Sequence, residues 1–130
     1  MMEDRDFSDA FCRFLQTSVT SVDAAELLLV LSGSPDRAWT VPELVAALRP
    51  AVALGEAEAA KHIELFHARG LVSLEEAGRV RYRAVPELEG FVATMALAYK
   101  ERPVTLIRMI YALRDSKIRT FADAFKIRKS

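Results

Sequence analysis

The sequence predicts a single, mainly α-helical domain with one small β-hairpin. Apolar residues recur at helical spacing through most of the chain, and a strict alternation of apolar and polar residues occurs only in two short segments around residues 71–85. In addition, 52% of the 130 residues are hydrophobic, which is too apolar for a disordered chain. A chain of this length suits one hydrophobic core, so residues 1–130 are treated as one domain.

The first two predicted helices cover residues 5–17 and 21–33. Three phenylalanines at helical spacing give the first helix an aromatic face. The second helix follows a serine, a residue type that caps helix N-termini, and ends at a glycine. Its centre, residues 27–31, is apolar on all sides, so we expect this helix to lie in the middle of the core.

A short helix and a longer one are predicted next. Thr40 and Glu43 have the spacing of a capping box, so the short helix begins here and runs to about Arg49. Residues 56–69 are rich in alanine and contain neither proline nor glycine, which favours a helix that ends at Gly70.

Residues 71–74 and 80–85 predict a two-stranded hairpin with its turn at Gly78, while residues 37–39 are short enough to be a single extended rung, a short strand before the next helix. Because side chains alternate along a strand, one face of the second strand carries three arginines. Such a row suits contact with phosphate or the minor groove, and it also suits a solvated face balanced by neighbouring glutamates. These arginines are Arg79, Arg81 and Arg83.

Residues 87–130 predict two further helices and a basic tail. The first helix spans about 87–101 and is ended by Pro103. The second, 104–113, is apolar at eight of ten positions, so it either passes through a monomeric core or builds a homodimer interface. The tail has an apolar face and ends in lysine and arginine. It could dock across a dimer, bind a protein partner or contact the DNA backbone.

One residue pattern resembles a known family. It reads His62-Ile63-x-x-Phe66-x-x-Arg69-Gly70-Leu71-Val72, then Gly78-Arg79-Val80-Arg81-Tyr82-Arg83. With the predicted element order, this resembles the recognition helix and wing of ArsR- and MarR-type bacterial transcriptional regulators, over about residues 21–88. The resemblance implies a winged helix-turn-helix with its core at 21–85, additional N- and C-terminal helices, and DNA binding as a homodimer.

The resemblance also implies which residues contact DNA. The expected contacts are Lys61 on the longer helix and the wing residues Arg79, Arg81 and Arg83. His62 either packs beside this helix or contacts a ligand or base.

Glu56 and Glu58 place negative charge at the start of the same helix, where they repel phosphate. They favour the alternative of a winged-helix module that binds another protein and not DNA. The chain as a whole is neutral, with 6 Lys/Arg against 11 Asp/Glu in residues 1–70 and 12 against 7 in residues 71–130. Only the rear half therefore favours contact with an anion.

Several classes of protein are not expected from this sequence. One cysteine and two histidines give no metal-ligand spacing, and no catalytic motif is present, so we expect no metal, no cofactor and no enzymatic activity. The acidic N-terminus lacks an apolar signal core, and no apolar run approaches the roughly 20 residues that span a bilayer. We expect a cytoplasmic protein that does not contact a membrane.

Overall fold

The computed structural model describes residues 7–114, which form a mainly helical fold with a small antiparallel sheet. The helices are α1 (Asp9–Ser18), α2 (Val22–Gly33), α3 (Val41–Ala47), α4 (Glu56–Ala68), α5 (Pro86–Glu101) and α6, which covers residues 103–114. The strands are β1 (Ala38–Trp39), β2 (Val72–Glu75) and β3 (Arg79–Tyr82). The mainly α class is thereby confirmed. The predicted tail after residue 114 lies outside the described residues.

The helix starts are set by side-chain caps. Ser21 accepts a hydrogen bond from the Ala24 amide at 3.1 Å and begins α2. At α3, Thr40 accepts from the Glu43 amide at 3.3 Å while Glu43 accepts from the Thr40 amide at 2.9 Å, so the predicted capping box is confirmed.

Two helix boundaries differ from the prediction. The N-terminal helix, predicted over 5–17, begins at Asp9 because Ser8 caps it by accepting from the Phe11 amide at 3.0 Å. Phe7 is buried although it precedes the helix. The short helix stops at Ala47 and not at about Arg49, because Leu48 already has an extended backbone with ψ of 155°.

The sheet has three antiparallel strands in the order β1-β3-β2. The predicted hairpin is β2–β3 and the predicted extended rung is β1, but their pairing into one sheet was not predicted. Trp39 of β1 pairs with Val80, which makes β3 the central strand. The turn of the hairpin is a single 3-10 turn, Glu76–Gly78, in which Ala77 and Gly78 both have positive φ. Gly78 therefore lies in the turn as predicted.

The core is built around α2, in which Leu27, Leu28 and Leu31 are fully buried. Leu29 and Val30 are only partly buried, so the run 27–31 is not enclosed on all sides as its apolar pattern predicted. The phenylalanines of α1 pack on α5, with the ring centroids of Phe14 and Phe91 5.4 Å apart. Helix α6 packs on the core through Leu106 and Ile110, whereas Val104 and Tyr111 are more than half exposed. The homodimer interface stays a prediction.

A polar cluster around one buried glutamate links three elements. Glu26 of α2 is 7% exposed and accepts hydrogen bonds from Arg49, at 2.5 Å from its Nη2, and from the Tyr99 hydroxyl of α5. Burial, followed by this hydrogen bond, raises the pKa of Tyr99 to about 12. Arg49 belongs to the connection between α3 and α4, so its ion pair with Glu26 links that connection to α2.

Within residues 7–114, no single helix is both long enough and apolar enough to cross a membrane. Helices α1 and α2 satisfy that criterion only when taken together, and they are bent by 98° with respect to each other.

Candidate functional site

The solvent face of the hairpin carries the predicted arginines, and Arg81 is the most constrained of them. Its Nε lies 2.8 Å from Oε2 of Glu75 and its Nη2 lies 3.3 Å from Oε1, so the guanidinium is held by both carboxylate oxygens. Arg81 also donates to the backbone carbonyl of Asp36. The hydrogen bond from Arg81 holds the pKa of Glu75 below its usual value.

Arg79 is held more loosely, at the junction of the sheet and α3. Its Nη1 lies 3.7 Å from Oε1 of Glu43 and 3.4 Å from the carbonyl of Ala38. Arg37 lies 3.8 Å from the same carboxylate oxygen and stacks on the Trp39 ring, with 3.7 Å between its Cζ and the ring centroid. The Thr40 backbone hydrogen bond and then the two arginines lower the pKa of Glu43.

Arg83 and Lys61 are the two predicted contacts with the fewest interactions, although, after the hydrogen bond from Arg81, the charge of Arg83 also lowers the pKa of Glu75. Both are exposed, and among residues 7–114 neither side chain forms a hydrogen bond or a close ion pair. The backbone of Arg83 is nonetheless fixed, because its amide donates to the Leu71 carbonyl at 2.9 Å and so extends the β2–β3 pairing. The structure thus places Arg79 and Arg81 on β3 and Arg83 directly after it, because the strand predicted over 80–85 covers only Arg79–Tyr82.

The exposed face of α4 is acidic. Glu56, Glu58 and Glu64 are exposed there together with Lys61, whereas Ile63 and Phe66 are buried, as the packing pattern predicted. Gly55 precedes the helix and makes no side-chain cap, so the amides of the first turn have no side-chain acceptor from that position. The charge along α4 therefore opposes an approaching phosphate except near Lys61.

The two histidines of α4 have different environments. His67 is exposed, as predicted, and His62 is half-buried. Burial lowers the pKa of His62, while the charges of Asp23 and Glu58 oppose that shift. The neutral imidazole is thereby favoured near neutral pH.

The network around the hairpin includes residues that the sequence did not suggest as part of a site. Glu43 was recognised as a capping residue, but its second role as the shared partner of Arg37 and Arg79 follows only from the pairing of β1 with β3. Of the two glutamates proposed to balance the arginine row, Glu75 does so. What this face offers chemically is a set of guanidiniums on and directly after β3, suited to binding an anion.

No group of three or more His, Cys, Asp or Glu side chains in the described part of the chain is arranged to hold a metal ion. Comparison with known proteins adds no relative: no protein-family model, no curated protein and no solved structure matches this chain.

Proposed function

We propose that the chain is a winged-helix DNA-binding protein, a transcriptional regulator, that contacts duplex DNA mainly through its hairpin. The carrying observation is the element order α2–β1–α3–α4–β2–β3 combined with the sheet order β1-β3-β2. In this arrangement two successive helices are followed by a hairpin beside the second one, which is the layout of a helix-turn-helix with a wing. The hairpin then corresponds to the wing and α4 to the recognition helix.

The intramolecular contacts of Lys61 and the three hairpin arginines indicate which of these side chains would bind phosphate. Among the described residues, the side chains of Arg83 and Lys61 form no hydrogen bond or close ion pair, and Arg79 has only two long contacts, 3.7 Å to Glu43 and 3.4 Å to the Ala38 carbonyl. These three side chains can therefore turn to phosphate. Arg81 forms a salt bridge with both carboxylate oxygens of Glu75, and its main role is to link the two strands of the hairpin. With three phosphates neutralised by each subunit of a dimer, log K should fall with log salt at a slope of about −5.

Fluorescence polarisation with a labelled random-sequence duplex, titrated from about 50 to 200 mM salt, tests this proposal. The double variant Arg79→Ala/Arg83→Ala should bind more weakly and reduce the slope by about 3 to 4. The matched control is Arg13→Ala/Lys100→Ala, which removes the same charge from α1 and α5. If the control weakens binding as much as the hairpin variant does, or if the wild type does not bind at micromolar concentration, the proposal fails.

The proposal includes a homodimer, since two recognition elements related by a two-fold axis match two half-sites on DNA. Val104 and Tyr111 of α6 support it, because they expose 60% and 54% of their surface beside the buried Leu106 and Ile110. Light scattering after size exclusion should give the dimer mass for the wild type and the monomer mass for Tyr111→Glu. Leu74→Glu, at an equally exposed hairpin position, should leave the dimer mass unchanged.

A second candidate, a winged-helix module that binds a protein, is favoured by the exposed Glu56, Glu58 and Glu64 of α4. The variant Glu56→Gln/Glu64→Gln separates the two functions. If α4 faces DNA, removing these two negative charges should tighten duplex binding. If α4 instead binds a basic protein surface, the variant should lose a partner that the wild type captures from cell extract, and its affinity for DNA should not rise.

A further inference from the structure

A cavity of about 430 Å³ lies between α1, α2, α4 and α6, on the side of α4 that faces the N-terminal helices. Its volume falls in the range of about 300–1,000 Å³ that is typical of small-molecule sites. Apolar side chains form part of its lining, and they are buried or partly buried: Leu15, Val19, Leu54, Ile110 and Leu113.

Polar groups converge on the same space from separate elements. Asp23 of α2, Glu58 and His62 of α4, and Arg114 of α6 line it. Among the described residues, the side chains of Asp23, Glu58 and His62 form no hydrogen bond and no ion pair, although both carboxylates act on the charge of His62. Unpartnered polar groups above an apolar surface are the arrangement by which a pocket orients a small ligand.

The charges in this cavity favour a cation. The lining contains two carboxylates and one guanidinium, so its charge is negative. His62 is favoured as the neutral imidazole, which can accept a hydrogen bond. A carboxylate ligand would meet repulsion from Asp23 and Glu58, whereas an ammonium group can bind between them. The apolar lining accommodates a hydrocarbon body.

We propose that this cavity binds a small organic cation, a primary ammonium group carried on an apolar body. The ammonium lies between Asp23 and Glu58, with His62 as an additional acceptor. The hydrocarbon part packs against Leu15 and Leu54. This site is independent of the hairpin face and does not rest on DNA binding.

Three probes with the same ring and different end groups test the charge preference on the full-length protein: 2-phenylethylamine, 2-phenylethanol and 3-phenylpropanoate. Isothermal calorimetry and amide chemical shifts at a pH of about 7.5 should show the amine binding at least about tenfold more tightly than the acid, with the alcohol between them. The shifts should be centred on α1, the start of α2 and α4. Absence of amine binding at about 10 mM, or equal affinity for all three probes, would overturn the proposal.

Variants then test the two carboxylates. Asp23→Asn and Glu58→Gln should each weaken amine binding by about five- to tenfold and reduce the difference between amine and alcohol. Glu56→Gln, on the same helix turn but outside the lining, should leave amine affinity unchanged. Circular dichroism establishes that each variant is folded. Equal weakening by Glu56→Gln and Glu58→Gln would contradict a specific site.

Discussion

Replacing Gly70 by alanine should destabilise the protein, because Gly70 connects α4 to β2 with a φ of 83°. A side chain in this left-handed region costs about 1–2 kcal/mol. The backbone cannot rotate away, since the Gly70 amide donates to the His67 carbonyl at 3.1 Å and its carbonyl accepts from the Val85 amide at 2.9 Å. The added Cβ would also lie 3.2 Å from Val85 Cγ1, but Val85 is 41% exposed and can move, so this contact adds little.

The resulting loss corresponds to a fall in Tm of about 4–8 °C for a chain of 130 residues. Thermal and urea unfolding followed by circular dichroism would measure it. Gly90→Ala is the matched control: Gly90 lies within α5, nothing would lie within 4 Å of its Cβ, and the substitution should stabilise by about 0.5–1 kcal/mol. Gly78→Ala, with φ of 70° and open space, isolates the backbone strain. If Gly70→Ala unfolds at the same temperature and urea concentration as the wild type, the left-handed backbone at residue 70 does not carry the expected strain.

Three further outcomes follow from burial. Leu106→Ala should cost about 2–5 kcal/mol in urea unfolding because Leu106 is fully buried, whereas Val104→Ala, at a 60% exposed position, should cost little if the protein is monomeric in the assay. Since the folded-state pKa of His62 is lowered, the unfolded chain binds more protons as the pH falls below about 6.5, so wild-type stability should decline there. The stability of His62→Gln should decline less over that window, and an equal decline of both proteins in pH-dependent melts would contradict this. Glu26→Gln should lower the free energy of unfolding by about 1–3 kcal/mol, because Arg49 and Tyr99 lose the buried carboxylate to which they donate. An unchanged urea midpoint would contradict this.

Local sequence signals predicted the helices well because their causes are local. The capping box of Thr40 and Glu43 and the serine cap of α2 depend on residues three positions apart, and both are present as predicted. The missed cap at Ser8 has the same physical origin. The periodic phenylalanines suggested an earlier helix start, but periodicity identifies a buried face and not the residue at which the helix begins.

The third strand and the charge network depend on contacts between distant parts of the chain. Strand β1 has only two residues, and its pairing with β3 brings Ala38 opposite Arg81 across 43 positions of sequence. Glu43 and the carbonyl of Asp36 reach the hairpin arginines through that pairing. The alternation of side chains along a strand predicts that the arginines share one face. It does not predict that Glu43 and the Asp36 carbonyl, which belong to other segments, contact them.

The pairing of Arg81 with Glu75 bears directly on how the hairpin would bind DNA. Both side chains are about one-third exposed, and exposed ion pairs contribute little to stability, so a phosphate can compete for the guanidinium. Glu75→Gln should therefore release Arg81, tighten duplex binding and steepen the salt slope of a dimer by about 2. Glu76→Gln changes the net charge equally at the neighbouring turn position, where no described residue pairs with the carboxylate. If affinity depends only on overall charge, the two variants will bind alike. A larger gain for Glu75→Gln adds Arg81 to the three proposed DNA contacts, because the intramolecular pair then restrains a cation that DNA can use. No gain for either variant leaves Arg81 with its role in the hairpin alone.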